Sequence, residues 1–152
     1  MIVVSDTSPL TALLTVGEAD LLPKLFHEVI IPEAVLGELL RSHPPGWLRV
    51  ESVKDTAPAS RYAEIVDPGE AEAIELSREL CAERLLIDER KGRRLAVAEG
   101  VAVIGLLGVV LLAKRRQLIS SARVLLQRLE NEAGMYLSEE IKSAALKTVR
   151  ES

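Results

Sequence analysis

Two short runs, Ile2-Val3-Val4 and Val29-Ile30-Ile31, constrain this chain more than any other feature. A strand with one wet face alternates apolar and polar residues. These runs do not alternate, so each reads as a strand covered on both faces, the condition of a parallel sheet between helices. The first run leads into Ser5-Asp6-Thr7-Ser8-Pro9-Leu10, where Asp6 sits as the strand stops and Ser8 before Pro9 signals a helix start. In open parallel α/β sheets, ligands bind outside the carboxyl ends of the strands, so Asp6 is placed for chemistry. It is equally well placed to be a local turn or capping residue.

The rest of the chain repeats this strand and helix alternation. A helix over 9–16 and a short helical piece over 18–26 lead to the second strand, and Pro32 starts a helix over 32–41 that ends at the Pro44-Pro45-Gly46 loop. Trp47 to Val50 alternates like an edge strand. Pro58, Ala59 and Ser60 read as a loop before a short helix. Gly69 launches a helix over 70–83, followed by a strand over 84–87, a helix over 89–99, a strand over 101–104 and a helix over 105–116. Helices over 121–133 and 138–149 add no strand. The expected fold is a three-layer α/β/α domain with a central parallel sheet of about four to five strands and a C-terminal helical appendage. Residues 1–136 form the domain, and 137–152 a helix packed upon it.

At 152 residues the chain has the length of one domain. Aromatics are only 3% of a chain that is 48% hydrophobic, so the core should be aliphatic. The single cysteine, Cys81, excludes an internal disulfide framework and favours the cytoplasm. No signal peptide is apparent, and the longest apolar run, over 101–113, falls short of the ~20 residues of a membrane span. A net charge of −4 gives no global attraction to nucleic acid, so such binding would need local basic patches.

Three further carboxylates stand where a solvated surface would not put them. Glu38 borders the apolar face of Val35, Leu36, Leu39 and Leu40, though it also fits an ordinary boundary position. Glu70 shares a helix line with Ile74, Ser77 and Cys81 and points inward, with Glu72, Glu75, Glu79 and Glu83 largely opposite; as a first-turn acid it would also suit the helix dipole. Asp88 ends a Leu-Leu-Ile strand as Asp6 ends a Val-Val one, or caps the following helix. Such acids are hard oxygen ligands suited to Mg²⁺ or Mn²⁺. His27, His43 and Cys81 have no zinc-ligand spacing, and no phosphate-binding glycine loop or serine or cysteine nucleophile with a histidine partner is visible.

Val4 to Leu10, Val29 to Leu39, Pro68-Gly69-Glu70-Ala71-Glu72-Ala73-Ile74 and Leu86-Ile87-Asp88-Glu89-Arg90, in this order and spacing, resemble the PIN-domain family. The nearer likeness is to its bacterial and archaeal branch of PIN-like nucleic-acid-binding proteins, over residues 2 to about 136. The resemblance implies an α/β/α nuclease whose acidic pocket holds Mg²⁺ or Mn²⁺ and cleaves RNA, and often a toxin paired with an antitoxin protein. It makes Asp6, Glu38, Glu70 and Asp88 the catalytic and metal-binding acids, with Ser8 matching a small polar residue beside them. Glu70 departs from the aspartate more usual in the toxin branch, and Leu106 from a frequent threonine. Arg90 and Arg93, with Lys91 and Arg94, and separately Lys114, Arg115 and Arg116, are candidate phosphate contacts or else solvated helix faces. The rival function is a catalytically weak binding or regulatory protein of the same fold. The apolar content of 118–129 suggests a homodimer, or a helix that covers the sheet.

Overall fold

Val3 and Val4 are both fully buried, and they face opposite layers. The computed structural model describes residues 1–39 and 44–151. In it β1 (Ile2–Ser5), β2 (Glu28–Ile31), β3 (Leu48–Val50), β4 (Arg84–Leu86) and β5 (Val103–Ile104) form one parallel sheet of order β3-β2-β1-β4-β5. Val3 joins Val29, Ile31 and Leu86 in one core, while Val4 joins Ile30, Leu85 and Ile87 in the other. The period-two alternation of strand side chains therefore needs an apolar residue at every position, because both sides are covered.

Helices supply both covers. In chain order they are α1 (Thr7–Thr15), α2 (Leu21–Leu25), α3 (Glu33–Glu38), α4 (Thr56–Tyr62), α5 (Pro68–Leu80), α6 (Arg90–Ala98), α7 (Leu106–Arg115), α8 (Ala122–Ala133) and α9 (Glu139–Thr148). The Val3 side packs against α1, α2, α7, α8 and α9, and the Val4 side against α4, α5 and α6. The expected α/β/α architecture is thus the observed one. Chain order runs from β1 towards β3 on one side and from β4 to β5 on the other, so the sheet reverses direction between β1 and β4. That reversal opens a crevice at the carboxyl ends of the two strands. Asp6 follows β1 directly, its amide donating to the Leu86 carbonyl at 2.9 Å, and Asp88 lies two residues past β4.

Several boundaries differ from the sequence reading, each for a local reason. Pro58, Ala59 and Ser60 are not a loop; they lie in α4, whose start is capped by the Asp55 carboxylate accepting from the Ala57 amide, and proline is tolerated in a first turn. Helix α1 starts at Thr7 rather than beyond Ser8, leaving Asp6 at the cap position. Helix α5 begins at Pro68 and stops at Leu80, where Cys81 turns the chain left-handed with φ 51°. Helix α3 ends at Glu38; Leu40 and Arg41, expected to continue it, lie outside the described residues. The last strand is shortened to Val103–Ile104.

The apolar residues of 118–129 serve this fold. Leu125, Leu126 and Leu129 are buried in the Val3-side core together with Leu146 and Val149 from the chain's end, while Leu118 and Val124 remain exposed. Glu151 ties that end down by accepting from the Ala122 and Arg123 amides and pairing with Lys114.

Candidate metal centre

Asp6 takes the N-cap position of α1 with an extended backbone, φ −79° and ψ 171°, but its side chain does not cap the helix. It is 5% exposed, and its Oδ1 is buried without a hydrogen-bond partner among the described residues. Burial pushes its pKa up to about 7; the Thr7 amide opposes the shift, while the charges of Asp67, Glu38 and Asp88 add to it. A buried carboxylate oxygen with nothing to accept from is costly, and a cation removes that cost.

Two exposed carboxylates face it. Glu38, the last residue of α3, accepts from the Thr7 hydroxyl at 2.6 Å. Asp67, the N-cap of α5, accepts from the Glu70 amide at 2.8 Å. One carboxylate oxygen from each of Asp6, Glu38 and Asp67 can be chosen so that all lie within 4.8 Å of one another, close enough to share one ion. The donor set is all hard oxygen, which suits Mg²⁺ or Mn²⁺.

Glu70 and Asp88 border this cluster without joining it. The Glu70 carboxylate turns back on its own helix end, where Oε1 accepts from the Asp67 amide at 3.3 Å to complete a capping box, while Oε2 is buried and has no partner among the described residues. Its pKa rises to about 8, chiefly through burial and then through its bond and proximity to Asp67, with the charge of Asp6 adding. Asp88 accepts from the Leu106 amide at 3.0 Å and so holds the start of α7. Desolvation raises its pKa, and the Leu106 amide and the Arg93 charge counter the rise.

Glycines make this crowding possible. A β-carbon at Gly69 would stand 2.6 Å from both carboxylate oxygens of Glu38; one at Gly92 would stand 2.5 Å from Glu70 Oε2; one at Gly105 would stand 2.5 Å from Asp88 Oδ1. Three of the acids thus lie against three backbones that carry no side chain.

Asp67 is the residue that helical periodicity misses, because an N-cap lies outside the helix whose faces are being counted. Its signal is nevertheless present: Asp67-Pro68-Gly69-Glu70 is a capping-box pattern with proline at the first helical position. Glu72, assigned to the side away from the pocket, accepts from the Ala34 amide at 3.1 Å and links α5 to α3. Ser8 is exposed in the first turn of α1 and lines a cleft with Asp88, Arg90 and Arg93. Arg93 donates to the Ile87 carbonyl at 2.9 Å. The second basic cluster is engaged within the fold: Lys114 pairs with Glu151, Arg116 bonds the Leu25 carbonyl, and Arg115 reaches Thr148.

A parallel α/β/α domain with carboxylates converging at its strand-order reversal belongs to the acidic-pocket class of α/β domains, an arrangement compatible with a nuclease. More narrowly, the chain belongs to a PIN-domain family, which it matches over residues 2–151, and PIN domains are in general nucleases. Neither the curated proteins nor the solved structures contain a match to it. No helix among the described residues is long and apolar enough to cross a membrane.

Proposed function

We propose that this protein is a divalent-metal-dependent endoribonuclease, a toxin-like component of the cytoplasm held in check by an antitoxin protein. The observation that carries the reading is the buried, unpartnered Oδ1 of Asp6 beside the carboxylates of Glu38 and Asp67. These three acids would hold Mg²⁺ or Mn²⁺, with Glu70 and Asp88 completing the acidic surround. When bound, such an ion stabilises charge on the phosphodiester's non-bridging oxygens and activates water. The chain's own residues position the parts: Thr7 fixes Glu38, the capping box fixes Asp67, and Arg90, Arg93 and Ser8 stand beside the acids to hold phosphates. Self-association is a further proposal, resting on the exposed Leu118 and Val124.

Incubating single-stranded and structured RNA with the protein tests this reading. Cleavage should appear with Mn²⁺, vanish with EDTA and vanish in Asp6→Asn. Glu70→Ala, which removes the acceptor for the Asp67 amide in the capping box that fixes Asp67, should slow cleavage by about 10–100-fold, as loss of a group supporting a metal ligand does. Glu72→Gln keeps an acceptor for the Ala34 amide and should scarcely matter. Equal activity of wild type and Asp6→Asn in every lane would remove the enzyme reading.

A further inference from the structure

The acids are bordered on one side by a cleft of about 870 Å³ that their chemistry does not explain. Its polar end is formed by Asp88, Ser8, Arg90 and Arg93, and from there it runs between α7 and the segment joining α8 to α9. Ile104, Leu107 and Leu111 line one side. Met135, Leu137 and Ile141 line the other.

The joining segment is built to present one residue. Gly134 ends α8 in a left-handed turn, φ 72°, and Met135 closes it by donating from its amide to the Leu129 carbonyl. Met135 and Leu137 then pack against the Val3-side core, so Tyr136 between them is turned outward and is 85% exposed. Tyr136 contributes little buried area, and its hydroxyl has no hydrogen-bond partner among the described residues. The side chain of Arg90, likewise exposed, has no hydrogen bond or ion pair among the described residues. In a chain of net charge −4, an unpaired arginine beside Arg93, at the mouth of an apolar cleft bearing an exposed tyrosine, forms a local pattern of its own.

We propose that this cleft is the track for a single nucleic-acid strand running to the acids, with one base stacked on Tyr136 and a phosphate on Arg90. Flat bases with apolar faces, alternating with anions, match a tyrosine, an aliphatic floor and a cationic end in that succession. Unpaired strands are recognised in this way, by aromatic stacking combined with backbone cations. A duplex keeps its base faces stacked and offers nothing to Tyr136. This inference rests on the nuclease reading for the direction of the track and for its substrate, but not for its binding chemistry.

Fluorescence anisotropy with labelled 12-mers tests it, using the full chain in EDTA so that no strand is cut. The arms are single-stranded RNA, single-stranded DNA of the same sequence, and duplex RNA. Single strands should bind more tightly than the duplex. RNA binding above DNA binding would assign the track to RNA, and equal binding to single strands of either kind; both agree with the proposal. Tyr136→Ala should weaken single-strand binding by about 5- to 100-fold while Tyr136→Phe retains it. Arg90→Ala should flatten the dependence of log K on log salt by about 0.7. Because Tyr136 is outside the core, an unchanged melting curve should accompany the loss. Binding unaffected by Tyr136→Ala, or a preference for duplex, overturns the proposal even if the protein cleaves RNA with Mn²⁺. Weakened binding without any cleavage would leave the track standing and remove the nuclease reading.

Discussion

Replacing Asp6 by asparagine is expected to raise the melting temperature of the metal-free protein at pH 8, on the order of 10 °C, although it removes the residue at the centre of the site. The reason is the proton. Asp6 is 5% exposed with its pKa pushed up to about 7 from 3.8, so the native state holds a proton that the unfolded chain releases. A carboxyl raised in this way contributes stability that is fully present below the unfolded pKa near 4 and is lost as pH rises through 7. At about 1.4 kcal/mol per pKa unit, the loss by pH 8 is ~4 kcal/mol for Asp6 alone. Asparagine has the same shape and does not ionise. The gap between wild type and variant should therefore shrink towards pH 5. Glu70, raised to about 8, titrates in both proteins, so the variant retains some loss of stability with rising pH. Metal works against this order: an ion at ~100 times its dissociation constant adds ~2.7 kcal/mol to a native state that binds it and little to one that does not, narrowing the gap, and at ~1,000 times the added ~4.1 kcal/mol closes it. If Asp6 were only a helix cap, asparagine would cap nearly as well and neither pH nor Mn²⁺ would separate the proteins. Melting curves in EDTA and in Mn²⁺ at pH 5 and pH 8 check this.

Gly92→Ala is expected to destabilise the protein even though alanine is the better helix former. Gly92 lies in the first turn of α6, where propensity alone would favour alanine by up to ~1 kcal/mol. Its new β-carbon would stand 2.5 Å from Glu70 Oε2 and 2.6 Å from Ile87 Cδ1. Neither neighbour yields easily: Ile87 is fully buried, and Glu70 is buried with its other oxygen tied to the Asp67 amide. Forcing a methyl into a filled space costs about 1–3 kcal/mol, so a fall of several degrees in Tm should accompany a loss of activity as Asp67 is released. Gly37→Ala in α3 is the contrast, because no atom of the described residues lies within 4 Å of its β-carbon; there propensity should win and Tm should rise slightly. If both substitutions raise Tm, the packing of Glu70 against α6 is wrong.

Much of the architecture was legible because the strands are buried on both faces, which leaves continuous apolar runs such as Val29-Ile30-Ile31. Asp6 and Asp88 were legible for a related reason, since a carboxylate ending such a run must lie at the rim of the sheet. Side-chain partnerships were not legible. Glu75, assigned to the outer side of its helix, is buried because Arg78 pairs with it at 2.8 Å and also bonds Tyr62, which in turn donates to Glu99. Periodicity places charges outside by default and does not show that an i,i+3 pair within α5, tied through Arg78 to Tyr62 of α4, draws a glutamate inward. Helix periodicity likewise gave no sign of Asp67, an N-cap whose carboxylate lies with those of Asp6 and Glu38. The three glycines against the acids were equally silent in the sequence, where Gly69 and Gly105 read only as helix starts and Gly92 as a position inside the helix over 89–99.

Titration of the metal-free protein with Mn²⁺ at pH 7.5, followed calorimetrically, tests the centre most directly, because it depends on no choice of RNA. Wild type should show saturable binding with release of a fraction of a proton, since Asp6, with its pKa pushed up to about 7, is still partly protonated at this pH and must be ionised to ligate. Asp6→Asn and Asp67→Asn should each abolish or greatly weaken it, and Glu72→Gln should leave it intact. Binding to Asp6→Asn indistinguishable from wild type, or no binding to either, would contradict a metal centre built on Asp6, Glu38 and Asp67.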